Sequence, residues 1–188
     1  MNLEKLFEMQ KMLDRKIHER FPELDGQNNM DWKILALLTE IGECANEWRG
    51  FKMWSEDREP RAKAYSHHEE KRYEGGGFSS IAKYDRNPLL EEYVDSLHFI
   101  LSIGLELGQE KYVENINHYI YEEPYMTNDV TLQFNYVFSL ATKVRKQYKP
   151  LFSCFVALGE MLGFTWEEIE SAYSAKNEIN HARQDTNY

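Results

Sequence analysis

The chain has 188 residues, with 32 acidic against 22 basic side chains and a formal net charge of −10. That balance excludes a general nucleic-acid binder, which needs a basic face; a nucleotide substrate stays open, because a bound cation neutralises phosphate locally. The length suits a single domain over 1–188 with a full core; no apolar run approaches about 18 residues, so no transmembrane span is expected, and the charged N-terminal stretch MNLEKLFEMQ is unlike a signal peptide, which points to the cytoplasm.

From the N-terminus, residues 2–20 carry Leu3, Leu6, Leu13 and Ile17 at helical spacing. Gln10 and Asp14 lie on or beside that stripe, either at its wet edge or lining a pocket. FPELDGQNNM (21–30) reads as a loop, and Asp31 is placed to cap a second helix ending near Gly50. Ser55–Arg86 breaks the pattern with Pro60, Gly75-Gly76-Gly77 and charges of both signs, as an inserted loop or lid does. Within it His67-His68-Glu69-Glu70 is a poor metal motif, since adjacent residues share no helical face. Asn87 and Pro88 open a third helix.

Further on, Glu110–Tyr121 suggests a short helix before Pro124, and Asp129–Tyr148 another, with Pro150 dividing it from the apolar helix Leu151–Leu162. Thr165-x-x-Glu168 is a capping box that opens the last helix. The cysteines, Cys44 and Cys154, fall in apolar helical runs and are expected as buried, reduced thiols. No strand pattern of useful length stands out. The fold expected is all-α, a bundle of about six to seven helices.

Two helices carry carboxylates among their apolar residues. In LALLTEIGECANEWRGFKMW, Glu40, Glu43 and Glu47 share one face, and like charges so spaced destabilise a helix by roughly 0.2–0.5 kcal/mol per pair. In NPLLEEYVDSLHFILSIGLEL, Glu92 and Asp95 repeat the spacing of three. One such pair is most often an ordinary wet surface. Two of them, each inside an apolar helix, bring four carboxylates together if the helices pack antiparallel. All-oxygen ligation of that kind suits Mg2+ or Mn2+. The last helix adds Tyr173, Lys176, Asn177, Asn180 and Arg183 at steps of three or four. Lysine and arginine suit phosphates, asparagine hydroxyls, and tyrosine stacking.

The acidic pairs, the Phe51-Lys52-x-Trp54 run and Lys176-Asn177-x-x-Asn180-x-x-Arg183-Gln184 together resemble the dimeric, all-α dUTPases, relatives of the MazG-type nucleoside triphosphate pyrophosphohydrolases. The resemblance runs from Gln10 to Tyr188; the acidic pairs mark the wider superfamily, and the lysine–asparagine stretch marks the dUTPase branch. It implies Mg2+-dependent conversion of dUTP, and of dUDP, to dUMP by a homodimer. The 14% aromatic content agrees with such an interface. Carried over, Glu40, Glu43, Glu92 and Asp95 are metal ligands, and Glu40 also orients the attacking water. Lys176 and Arg183 hold phosphates, Asn180 the deoxyribose, and Gln10 and Trp54 form the base pocket, with Lys52, Tyr173 and Asn177 also on the substrate.

This chain departs from the family's pattern in the long insertion with its Gly-Gly-Gly run, in Asn187-Tyr188 where the family closes Gly-Tyr, and in Asp14 where an amide is expected. The rival readings are a related pyrophosphohydrolase acting on dCTP or a modified nucleotide, a ferritin-like di-iron bundle suggested by Glu178-x-x-His181, and an acidic helical adaptor.

Overall fold

A computed structural model describes residues 2–72, 78–122 and 126–186. Among them are seven α-helices: α1 (Leu3–Arg20), α2 (Met30–Trp48), α3 (Pro88–Glu106), α4 (Val113–Tyr121), α5 (Val130–Ala141), α6 (Val144–Met161) and α7 (Trp166–Asp185). The all-α expectation holds. The central helix is α3, against which α1, α2, α6 and α7 all pack; α5 lies on α6 and α2, and α4 on α6.

The reason is in α3's composition. Tyr93, Val94, Leu97, Ile100, Leu101 and Ile103 are all buried, so its apolar surface is too wide for one neighbour to cover. On α2 the buried set is the narrower stripe Met30, Lys33, Leu37, Ile41 and Cys44. Fully burying each Leu or Ile stabilises the fold by about 1.5–3 kcal/mol. The two helices run antiparallel: Lys33 reaches Glu106 at one end, and Cys44 lies against the Leu89 carbonyl at the other. Cys44 and Cys154 are free and buried, as expected.

Several helix ends follow the local chemistry of the sequence. Asn87 accepts a hydrogen bond from the Leu90 N–H with Pro88 in the first turn, and the Thr165–Glu168 capping box is complete. Others differ. Asn29, not Asp31, stands at the start of α2; Asp31 sits in its first turn and pairs with Arg145 at 2.6 Å. At the other end Arg49, not a glycine, takes the left-handed conformation (φ 64°), held by its guanidinium donating to the Asp57 carbonyl. Residues 109–121 split into a 3-10 turn, Gln109–Tyr112, and α4. Pro150 does not divide two helices. The chain breaks instead at Thr142–Lys143, and α6 kinks at Gln147, leaving Pro150 in the first turn after the kink, where its missing N–H costs nothing.

One element was absent from the expectation. Residues His67–Arg72 (β1) and Phe78–Lys83 (β2) pair antiparallel, with His67 opposite Lys83. Their described side chains are mostly exposed, so the ladder needs no apolar alternation and leaves none in the sequence. Lys83 and Glu69 pair across it at 2.6 Å. The segment is fastened at its base: the Arg61 N–H donates to the Glu47 carbonyl, the Leu89 N–H to the Arg61 carbonyl, and Ala64 bridges to Arg86. Gly75–Gly77, Pro124 and Asn187–Tyr188 lie outside the described residues.

Candidate active site

The antiparallel packing of α2 on α3 brings Glu40, Glu43 and Glu92 together. A carboxylate oxygen from each lies within 4.8 Å of the other two, the only group among the described residues so placed that it could hold a metal ion. The fourth expected ligand, Asp95, adjoins them but is already paired: its Oδ2 accepts a hydrogen bond from Lys176 Nζ on α7 at 2.5 Å. Glu47, third in the α2 row, turns to Arg61 at 3.6 Å instead. His67–Glu70 and the Glu178/His181 pair form no such group.

The crowding appears in the acidities. Burial first, then the charges of Asp95 and Glu43, push the Glu40 carboxyl up to about 7. Burial, Asp95, Glu43 and Glu40 in that order push Glu92 up to about 7 as well. Burial also raises Asp95, against the downward pull of the Lys176 hydrogen bond. Half-buried carboxylates whose charges also repel one another are what a divalent cation relieves, and three converging oxygen donors fit Mg2+ or Mn2+.

A cavity of about 470 Å³ opens beside this cluster. Glu40, Asp95, Lys176, Asn180 and Arg183 line it at one side; Gln10, Asp14, Lys33, His98 and Ser102 line it deeper, with Trp32, Phe21 and Phe99 as aromatic walls. Of the residues singled out in sequence, Glu40, Asp95, Gln10, Lys176, Asn180 and Arg183 therefore meet around one space. Others stand apart from it. Tyr173 is fully buried behind the wall, stacked on the His98 ring at 4.1 Å. Asn177 is buried beside it. Lys52 donates to Asn46, and Trp54, 78% exposed, packs edge-on against Phe51; neither lines the cavity.

The deeper wall holds what the sequence reading missed. Gln10 is only 3% exposed. Its Nε2 donates to Asp14 Oδ1 at 2.6 Å, a bond that a carboxylate can only accept, so the amide orientation is set. Gln10 Oε1 must then accept from Tyr173 Oη at 2.7 Å and from His98 Nδ1 at 2.8 Å. The proton of His98 is thereby placed on Nδ1, and Nε2 carries a bare lone pair with no partner in the protein. Burial, then the nearby Lys176 charge, pulls the imidazole down to about 3, so it is neutral at pH 7. His98 lines the cavity, so this unpartnered acceptor could take a donor from a ligand. The available signal was spacing: His98 and Ser102 follow Asp95 at three and seven, on the same face of α3.

With this geometry in hand, a family model described as dUTPase matches residues 2–70 and 78–188. The chain belongs to the all-α dUTPase family. It is accordingly an enzyme, a dUTP diphosphatase of the nucleoside triphosphate pyrophosphohydrolase class, acting on a small nucleotide. The match takes in both acidic pairs, the whole of α7 up to the terminus, and most of the 55–86 segment. No curated protein matches the chain. Among the described residues no helix is long and apolar enough to cross a membrane.

Proposed function

We propose that this enzyme hydrolyses dUTP, and also dUDP, to dUMP in a Mg2+-dependent reaction, as a cytoplasmic homodimer that keeps dUTP out of the nucleotide pool. The observation that carries the metal dependence is the meeting of Glu40, Glu43 and Glu92 within 4.8 Å beside a cavity that also holds Lys176 and Arg183. Glu40, Glu43 and Glu92 hold the cation, with the free oxygen of Asp95 beside them. When bound, Mg2+ neutralises phosphate oxygens and acidifies coordinated water.

The chain's own groups do the rest. Lys176, held in place by Asp95, and Arg183 meet the negative charge that shifts onto the departing phosphate. Glu40, on the cavity wall, orients the attacking water and takes its proton. One water adds across the α–β phosphoanhydride, dUMP keeps one phosphate, and the bond's electrons leave with pyrophosphate. Asn180 faces the sugar. At the deeper end the neutral His98 Nε2 accepts from the N3–H of uracil; cytosine presents a lone pair there and is rejected. A site built for one donor–acceptor pattern discriminates by up to about 10⁴ against the other.

Gln10 acts one step back from the base, since its amide is engaged with Asp14, Tyr173 and His98. The dimer draws support from the exposed Met53 and Trp54, 75% and 78% accessible in one subunit. It gives Trp54 and Lys52 a place near the subunit boundary. A fully active monomer by light scattering at micromolar concentration counts against it. The central test is a panel of deoxynucleoside triphosphates with Mg2+ or EDTA, read by pyrophosphate release. Turnover of dUTP that vanishes in EDTA and far exceeds turnover of dCTP is expected. Equal rates on dCTP make it a broader pyrophosphohydrolase.

A further inference from the structure

Two helical turns from the carboxylate cluster, α2 and α3 place a second set of charges in the wall of the same cavity. Lys33 is only 3% exposed, yet it is a cavity-lining residue. Its ammonium donates to Glu106 Oε1 at 2.7 Å and lies 3.6 Å from Asp14 Oδ2. Asp14 Oδ2 is already occupied by the Ser102 hydroxyl, which donates to it at 2.6 Å. A buried ammonium has three N–H groups to satisfy. One goes to Glu106, and the Asp14 contact is longer than a hydrogen bond. Nζ also lies 5.6 Å from the centroid of the Trp32 ring, and because Lys33 lines the cavity a ligand there can take a remaining donor.

Position says what it meets. Lys33 and Glu40 are seven residues apart on α2, as Asp95 and Ser102 are on α3, a rise of about 10.5 Å in each case. With phosphates at the carboxylate and Lys176 end, that is about the span from a nucleotide's α-phosphate to the far edge of its pyrimidine. Trp32 and Phe99 stand beside this end of the cavity as flat walls for a ring. His98, between the two layers, presents an acceptor. An acceptor and a charged donor lining one cavity are complementary to the N3–H and the adjacent 4-carbonyl of an oxo-pyrimidine.

We propose that Lys33 is a specificity-determining residue of the substrate pocket: its ammonium donates to the 4-carbonyl oxygen of the base, and Glu106 and Asp14 hold it there. A 4-amino base meets the same ammonium donor to donor, so Lys33 rejects it. This rests on the reading of the cavity as the dUTP site.

The test removes the 4-oxygen from the base and the ammonium from the protein in turn. The probe is 4-thio-dUTP, which keeps the N3–H and replaces the 4-oxygen by sulfur, a weak hydrogen-bond acceptor. Wild-type kcat/KM is expected to be about tenfold higher for dUTP than for this analogue, the lower end of the worth of a hydrogen bond to a charged group, because sulfur still accepts weakly. In Lys33→Gln, and in Lys33→Met combined with Glu106→Gln, which keeps the net charge of the cluster, that ratio is expected to fall several-fold, and to near unity in the double variant. The double variant guards against misfolding from carboxylates left buried without their cation. A wild-type enzyme indifferent to the missing 4-oxygen overturns the proposal. So does an unchanged ratio in either variant while dUTP is still hydrolysed. If the wild type hydrolyses no deoxynucleoside triphosphate at all, the dUTP reading itself has failed.

Discussion

Replacing Glu43 by Gln separates what the carboxylate cluster costs the fold from what it does for the reaction. Glu43 is exposed, and its carboxylate lies within 4.8 Å of those of Glu40 and Glu92. Two unit charges at that distance in water repel by about 0.9 kcal/mol. The high-dielectric value applies because the side chain is at the surface, and physiological salt, with a screening length of about 8 Å, reduces it to roughly 0.5 kcal/mol. Glu43 has two such neighbours, so Glu43→Gln relieves about 1 kcal/mol. In a chain of this size that raises the melting temperature by about 2–4 °C.

The measurement belongs in EDTA at pH 8, above the values of about 7 to which Glu40 and Glu92 are pushed, so that both neighbours are charged. Added Mg2+ should stabilise the wild type more than the variant and shrink or reverse the difference. Turnover should fall at least about 100-fold, the order lost with one electrostatic contact to the transition state. A variant that keeps near-normal activity and melts like the wild type with and without Mg2+ refutes the cluster as a metal site.

In metal-free protein, Glu40 and Glu92 are raised from the usual 4.5 to about 7, so the folded state holds protons that the unfolded chain has released. Their contribution is full below about pH 4.5 and lost as pH rises through 7; the melting temperature in EDTA should fall between pH 5 and 8, less steeply in Glu92→Gln. Gln10→Ala frees the His98 tautomer and should raise KM for dUTP about tenfold and narrow the dUTP/dCTP ratio, with the helical circular dichroism unchanged. An unaltered ratio would leave the amide without a part in base choice. Trypsin should nick the exposed Arg58 and Lys63 of the 55–86 segment more slowly with a non-hydrolysable dUTP analogue and Mg2+ present, as a closing lid requires; equal rates count against it.

Much of this protein is local, and what is local can be read in one dimension. Helical periodicity, Asn87 with Pro88, the Thr165–Glu168 box and the paired carboxylates each lie within a few residues of chain, where spacing translates directly into a shared face. That the acidic pairs meet at all was open in the sequence, a consequence only if the two helices packed antiparallel, as they do. Tertiary packing decided the rest. Gln10 and Asp14 read equally well as a wet edge or a pocket wall until α3 and α7 closed over α1 and filled the amide's hydrogen bonds. Tyr173 has the spacing of a substrate contact, but the His98 ring is stacked on it in the core. Lys33 looks like an ordinary helical lysine, because only Glu106, 73 residues away, marks it as buried and paired. The hairpin left no trace because the described side chains of its strands bury no face. Burial and hydrogen-bond partners depend on which helices meet, and that is a property of the packed chain, not of any window along it.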